Sequence, residues 1–118
     1  MTSEESDYKD TLQAVERGDN AAKTKLAWYY LSGYCSAKVD RDEAVALLEE
    51  RVKDEDAEAM WMLGLCCEYG MGTEQDIEKA ETLYKQSSDE ENEIGKFLSE
   101  NRGDGRGNGI LRNVSLLN

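Results

Sequence analysis

An internal repeat narrows what this chain can fold into more than any other feature. Two fourteen-residue stretches, Asn20–Gly33 (NAAKTKLAWYYLSG) and Ala57–Gly70 (AEAMWMLGLCCEYG), align at an offset of 37 residues. Ala22 then meets Ala59, Leu26 meets Leu63, Ala27 meets Gly64, Tyr30 meets Cys67 and Gly33 meets Gly70. The register slips by one in the following loop. At an offset of 36, Asp40 meets Asp76, Ala44 meets Ala80 and Leu47 meets Leu83. A period near 36 carrying two helical patterns predicts stacked helix–turn–helix units, in which each pair buries its apolar face against the next. The chain has no proline, so no ring interrupts that pattern.

Each unit can be read residue by residue. Ala22, Leu26 and Tyr30 share one helical face. The small residue after each leucine, Ala27 or Gly64, lets a neighbouring helix come close. Gly33 and Gly70 stand where the first helix must stop, in the left-handed conformation that glycine adopts most cheaply. Asp40 and Asp76 stand where an N-cap belongs, ahead of second helices expected over Arg41–Val52 and Ile77–Gln86. Tyr8–Arg17 reads as the second helix of an incomplete leading repeat. Glu90–Glu100 reads as a further first helix with Ile94, Phe97 and Leu98 as its apolar side, in a register the pattern leaves open. Residues 1–6 read as an acidic tail, 7–101 as one helical repeat domain, and 102–118 as a glycine-rich linker and tail.

The pattern L-G-x-x-Y-x-x-G-x-G followed by D-x-x-K-A-x-x-L-Y resembles the Sel1-like repeat, a relative of the tetratricopeptide repeat. It is carried here by Leu63-Gly64, Gly70, Gly72, Asp76, Lys79-Ala80 and Leu83-Tyr84, and in the first copy by Leu26-Ala27, Tyr30, Gly33, Asp40, Ala44 and Leu47. Cys67 departs from the expected tyrosine, and the first copy has an extra loop residue and Cys35 at the second glycine. The resemblance implies an all-α fold: a right-handed superhelix of antiparallel helix pairs, about two full repeats plus flanking helices, with first helices lining a concave groove. It also implies an adaptor or scaffold role.

If the signature residues pack against partner helices, a second stripe faces that groove. Trp28 lies opposite the Leu26/Tyr30 face, and Trp61, Leu65 and Tyr69 form an i, i+4, i+8 stripe, with Thr24, Leu31 and Glu68 nearby. Such aromatics would anchor a bound peptide or helix, flanked by Lys25 and Glu68. The alternative is that Trp28 and Trp61 fill the core between repeats.

Composition excludes other classes. The formal net charge of −12 disfavours nucleic acid and anionic membranes and suits a basic partner. No run reaches the roughly 20 apolar residues of a membrane helix, and no export signal opens the chain, so the expected location is the cytoplasm, with the nucleus as the alternative. Cys35, Cys66 and Cys67 read as reduced thiols, and Met60, Met62 and Met71 as gap-filling. Without histidine, and without a CxxC pair, a phosphate-binding loop or a nucleophile–base pair, no metal, cofactor or enzyme activity is expected. The acidic runs read as solvated faces and helix starts. An Arg102-Gly103-Asp104 tripeptide, an Asn113-Val114-Ser115 sequon and a faint calcium-loop echo at Asp104–Gly109 read as chance. The expected function is therefore that of a protein-binding adaptor, or else of a solenoid module that self-associates through its open repeat ends.

Overall fold

The computed structural model describes residues 3–34 and 38–102. Six helices occupy them: α1 (Ser3–Glu16), α2 (Asn20–Ser32), α3 (Arg41–Lys53), α4 (Ala57–Tyr69), α5 (Ile77–Asp89) and α6 (Glu93–Arg102). The expected helices all form. α1 starts at Ser3, so residues 3–6 of the expected tail belong to its first turn. α6 starts at Glu93 rather than Glu90, because Glu90 and Glu91 complete the exit from α5. Arg102, expected as the first residue of the linker, is instead the last residue of α6, and the rest of the expected linker, 103–118, lies outside the described residues, as does Cys35.

Within a hairpin, the second helix is held back against the first by repeated bonds. The Asp40 N–H donates to the Tyr30 carbonyl at 2.9 Å, and the Asp76 N–H donates to the Cys67 carbonyl at 2.8 Å. Each aspartate then caps its helix, accepting from the N–H of Glu43 or Lys79. Between hairpins a second device repeats three times. Gly18, Glu55 and Glu91 each have positive φ, at 87°, 61° and 62°. The next residue, Asp19, Asp56 or Asn92, caps the following helix through its side chain. In all three, the cap N–H reaches back to the second helix, from Asp19 to Ala14, from Asp56 to Arg51 and from Asn92 to Ser87. This fixes the register of α6 at an offset of 36 from α4.

The main core runs through α2 to α5 and includes Ala27, Ala44, Leu48, Ala59, Leu63, Cys66, Cys67, Ala80, Leu83 and Tyr84. A Cβ on Gly64 would fall 2.5 Å from a ring carbon of Tyr84, which is wholly buried. The equivalent pair in the first hairpin is Ala27 and Leu48, a larger residue on the first helix and a smaller one on the second. The two hairpins thus fill the same gap by opposite division of volume. α6 packs closely on α5 in the same way, since a Cβ on Gly95 would collide with Ser87 Oγ.

α1 docks by polar and aromatic contacts. Tyr29 Oη and Lys25 Nζ both donate to the Asp7 carboxylate, and Tyr8 packs edge-on to Tyr29 with ring centroids 5.9 Å apart. Among the described residues the backbone of α2 comes within 8 Å of α4 and that of α4 within 8 Å of α6, Cα to Cα, whereas the backbones of α1, α3 and α5 stay further apart. The first helices therefore lie on the inside of the curve and the second helices on the outside.

Gly64→Ala is expected to destabilise the fold by about 1–2 kcal/mol, because overpacking against a fixed ring outweighs the helix propensity alanine adds. In a Tyr84→Leu background, which recreates the Ala27/Leu48 pair, the same change should become neutral or stabilising. Urea unfolding of the four-member cycle measures this as a coupling of at least about 1 kcal/mol, and strictly additive costs would refute it.

Candidate partner-binding face

The inner face is built from the sides of α2, α4 and α6 turned away from their own second helices. The repeat register aligns its positions: Ala21 with Glu58 and Ile94, Thr24 with Trp61 and Phe97, Lys25 with Met62 and Leu98, and Trp28 with Leu65. On α2, Trp28 is 39% exposed, and its ring meets Trp61 edge-on with centroids 6.1 Å apart. Tyr69, at the end of α4, is 65% exposed. Leu31 and Leu65 are half-buried against the main core. On α6 the expected apolar side divides. Leu98 packs on the core, while Ile94 and Phe97 are exposed.

Three of the expected partner-binding residues are buried: Trp61 and Glu68 within the scaffold, and Thr24 through a bond to the next repeat while its side still lines a hollow between α2 and α4. Trp61 is buried, covered in part by Trp28, and its Nε1–H has no acceptor among the described residues. Thr24 is buried, its hydroxyl donating to Asp56 Oδ2 at 2.6 Å, so it ties α2 to the cap of α4. Glu68 is buried as well, one turn beyond Gly64. The gap left by that glycine admits the Tyr84 ring, whose hydroxyl donates to Glu68 Oε1 at 2.6 Å. The expected continuous stripe is thus split, with Trp28 and Tyr69 outward and Trp61, Thr24 and Glu68 inward.

A hollow of about 310 Å³ opens between the N-terminal halves of α2 and α4. Ala21, Thr24, Lys25 and Trp28 form one wall. Glu58 and Met62 form the other, with Asp56 at the helix start. Sequence reasoning named Trp28 and Thr24 as site residues here, and Lys25 as a flank. It missed Ala21, Asp56 and Glu58, and gave Met62 only a filling role. The signal was available in the register, since an offset of 37 already pairs Ala21 with Glu58 and Lys25 with Met62.

The charges around the face are arranged by α1. Hydrogen bonds from Tyr29 and then Lys25 hold the Asp7 carboxyl below its usual range, and the Asp7 bond raises Lys25. Burial pushes the Tyr29 hydroxyl up to about 12. Burial likewise pushes the Cys66 thiol up to about 11 and raises Cys67, so both are protonated at neutral pH and poor nucleophiles. No group of three or more Cys, Asp or Glu side chains among the described residues could hold a metal ion. None of the described helices is long and apolar enough to cross a membrane. The face offers exposed rings, an apolar hollow and fixed charges, which are means of binding.

Stacked antiparallel helix pairs with their first helices inside define an α-helical repeat superhelix. The Sel1 repeat model matches residues 20–50 and 57–92, and the chain belongs to the Sel1 repeat family. Its structure is similar to the crystal structure of a Sel1 repeat protein from Oxalobacter formigenes, with a TM-score of 0.71 and 28% sequence identity. The match covers 84% of this chain and 39% of that one, so this chain spans well under half of that protein's length. No curated protein matches it in sequence. Repeats of this family generally mediate protein–protein interaction.

In a Cys35→Ser variant, Cys66 and Cys67 are expected to resist a thiol reagent at pH 8 in the native state and to react fully once unfolded. Rapid native labelling would contradict their burial. The raised Cys66 pKa adds stability below its ordinary value of 9.0, and this is lost as pH rises through about 11. The fall in unfolding free energy over that window should be smaller in Cys66→Ala.

Proposed function

We propose that the chain is a binding module that holds a segment of another polypeptide on the inner face of α2, α4 and α6, with no covalent chemistry. One observation carries this reading: Trp28 and Tyr69 are exposed aromatic side chains on first helices, and Trp28 borders an apolar hollow. Exposed aromatics beside a concavity are typical anchors, because they bury a large area while losing little rotamer freedom. Ile94 and Phe97 extend the apolar surface onto α6 at register positions continuous with Glu58 and Trp61. The net charge of −12 favours a basic or neutral segment and disfavours phosphate-rich partners. A cytoplasmic or nuclear setting fits the use of unpaired, buried cysteines.

A second reading is also supported by Ile94 and Phe97, whose rings and methyls stand exposed on the last described helix. In it the module stacks end to end with another copy.

For the first reading, the wild-type chain is expected to enrich peptides from a random-sequence display library. Trp28→Ala and Tyr69→Ala should each weaken binding of those peptides by at least about tenfold, as loss of a central aromatic anchor does. Helical circular dichroism should stay near the wild type in both variants, and so should the unfolding midpoint of Tyr69→Ala, whereas Trp28→Ala, which uncovers Trp61, should lower its midpoint while remaining folded at the binding temperature. Variants that bind as well as wild type would sink it. For the second reading, sedimentation velocity at high concentration is expected to show self-association that Phe97→Glu removes, and a strictly monomeric chain would exclude it.

A further inference from the structure

The charges lining the hollow beside Trp28 are unequally satisfied. Lys25 Nζ lies 2.9 Å from Asp7 Oδ1 and 5.9 Å from the centre of the Tyr29 ring. Its charge is thus answered from α1, and its contribution to the hollow is an aliphatic stem. Asp56 is also committed. Its Oδ1 accepts from the N–H groups of Glu58 and Ala59, its Oδ2 accepts from Thr24 at 2.6 Å, and Arg51 Nε stands 3.5 Å away. Glu58 differs from both. It is exposed, its Oε1 accepts one hydrogen bond, from Asn92 Nδ2 at 2.8 Å, and no lysine or arginine among the described residues pairs with it. The other walls are Ala21, Met62 and the indole of Trp28.

An exposed indole and a carboxylate without a cation, on opposite walls of one hollow, ask for a ligand group that is planar, charged and a multiple donor. Guanidinium meets all three conditions. It stacks on an indole while keeping its edge donors free, and it pairs with a carboxylate through two parallel hydrogen bonds. An aliphatic side chain would cover Glu58 without satisfying it, at the cost of desolvating a charge. The net charge of −12 biases encounter in the same direction.

We propose that this hollow is a subsite for an arginine side chain carried by a bound basic polypeptide segment, with Trp28 stacking on the guanidinium and Glu58 pairing with it. The inference rests on the inner-face binding reading above and gives that face its chemical specificity.

The probes are peptides enriched by the full chain from the random library, synthesised with arginine or with its uncharged isostere citrulline. Wild type is expected to enrich peptides sharing one arginine, and to bind the citrulline form at least about tenfold more weakly, as loss of a charged, stacked pair implies. Glu58→Gln keeps an oxygen for Asn92 Nδ2 and removes only the charge. It should weaken the arginine peptide by a similar factor and lose most of the discrimination between the two forms, the remainder coming from stacking on Trp28. Enriched peptides with no shared arginine, or a Glu58→Gln variant that still discriminates fully, would overturn the subsite while the binding face stands. Failure to enrich any peptide, or undiminished binding by Trp28→Ala, would remove the binding face and the subsite together.

Discussion

The connection between one hairpin and the next is the constraint on which this structure depends. Three times the chain leaves a second helix through a single left-handed residue and enters the next first helix at once through an Asp or Asn cap. A connector this short leaves the incoming helix no freedom to lie elsewhere, so each hairpin must lean on the one before. Only Gly18 takes this conformation without strain. Glu55 and Glu91 take it at a cost of roughly 1–2 kcal/mol each, and the surroundings hold them there. Arg51 grips Asp54 at 2.7 Å and approaches Asp56, bracketing Glu55. Ser87 Oγ donates to the Ala57 carbonyl at 2.8 Å and receives Gly95 against it, bracketing Glu91.

The inner face follows from that geometry. Because the backbones of the first helices approach one another more closely than those of the second helices, the apolar residues left over on α2, α4 and α6 converge, while the charged sides of α3 and α5 diverge. The leading helix has its own part in this. By taking up Lys25 through Asp7, α1 removes a positive charge from the rim of the hollow and leaves Glu58 as the charge that remains. The helix that precedes the first full repeat therefore shapes the electrostatics of a hollow built by its neighbours.

The four helices from α2 to α5 were legible in the sequence because their boundaries are written in residues with few other uses: Gly33 and Gly70 at the ends, Asp40 and Asp76 at the starts. The register of α6 was not legible. Its marker is Glu91-Asn92, and neither residue resembles the Gly-Asp of the first connector, although both do the same work. The site was legible in part. A helical wheel correctly set Trp28 and Tyr69 away from the signature face. It could not show that Glu68, at the edge of the stripe, would be claimed by α5. That outcome depends on Tyr84 standing where the first hairpin has Leu48, a difference in reach across a helix pair that periodicity does not carry. The burial of Thr24 was hidden for a similar reason, since its partner Asp56 belongs to the next repeat.

The same register separates the two uses open to the exposed end of α6. Where α4 presents Met60, Leu63 and Gly64 toward its second helix, α6 carries Lys96, Ser99 and Glu100. The side that would receive a further stacked helix is thus polar. Ile94 and Phe97 instead occupy the positions of Glu58 and Trp61, which belong to the inner face. Trp61 is buried there because Trp28 stands in front of it, whereas at the equivalent place before Phe97 stands the half-buried Leu65. The apolar surface of α6 therefore continues the inner face of α2 and α4. A segment seated against Trp28 would reach Phe97 by following the first helices across the stack.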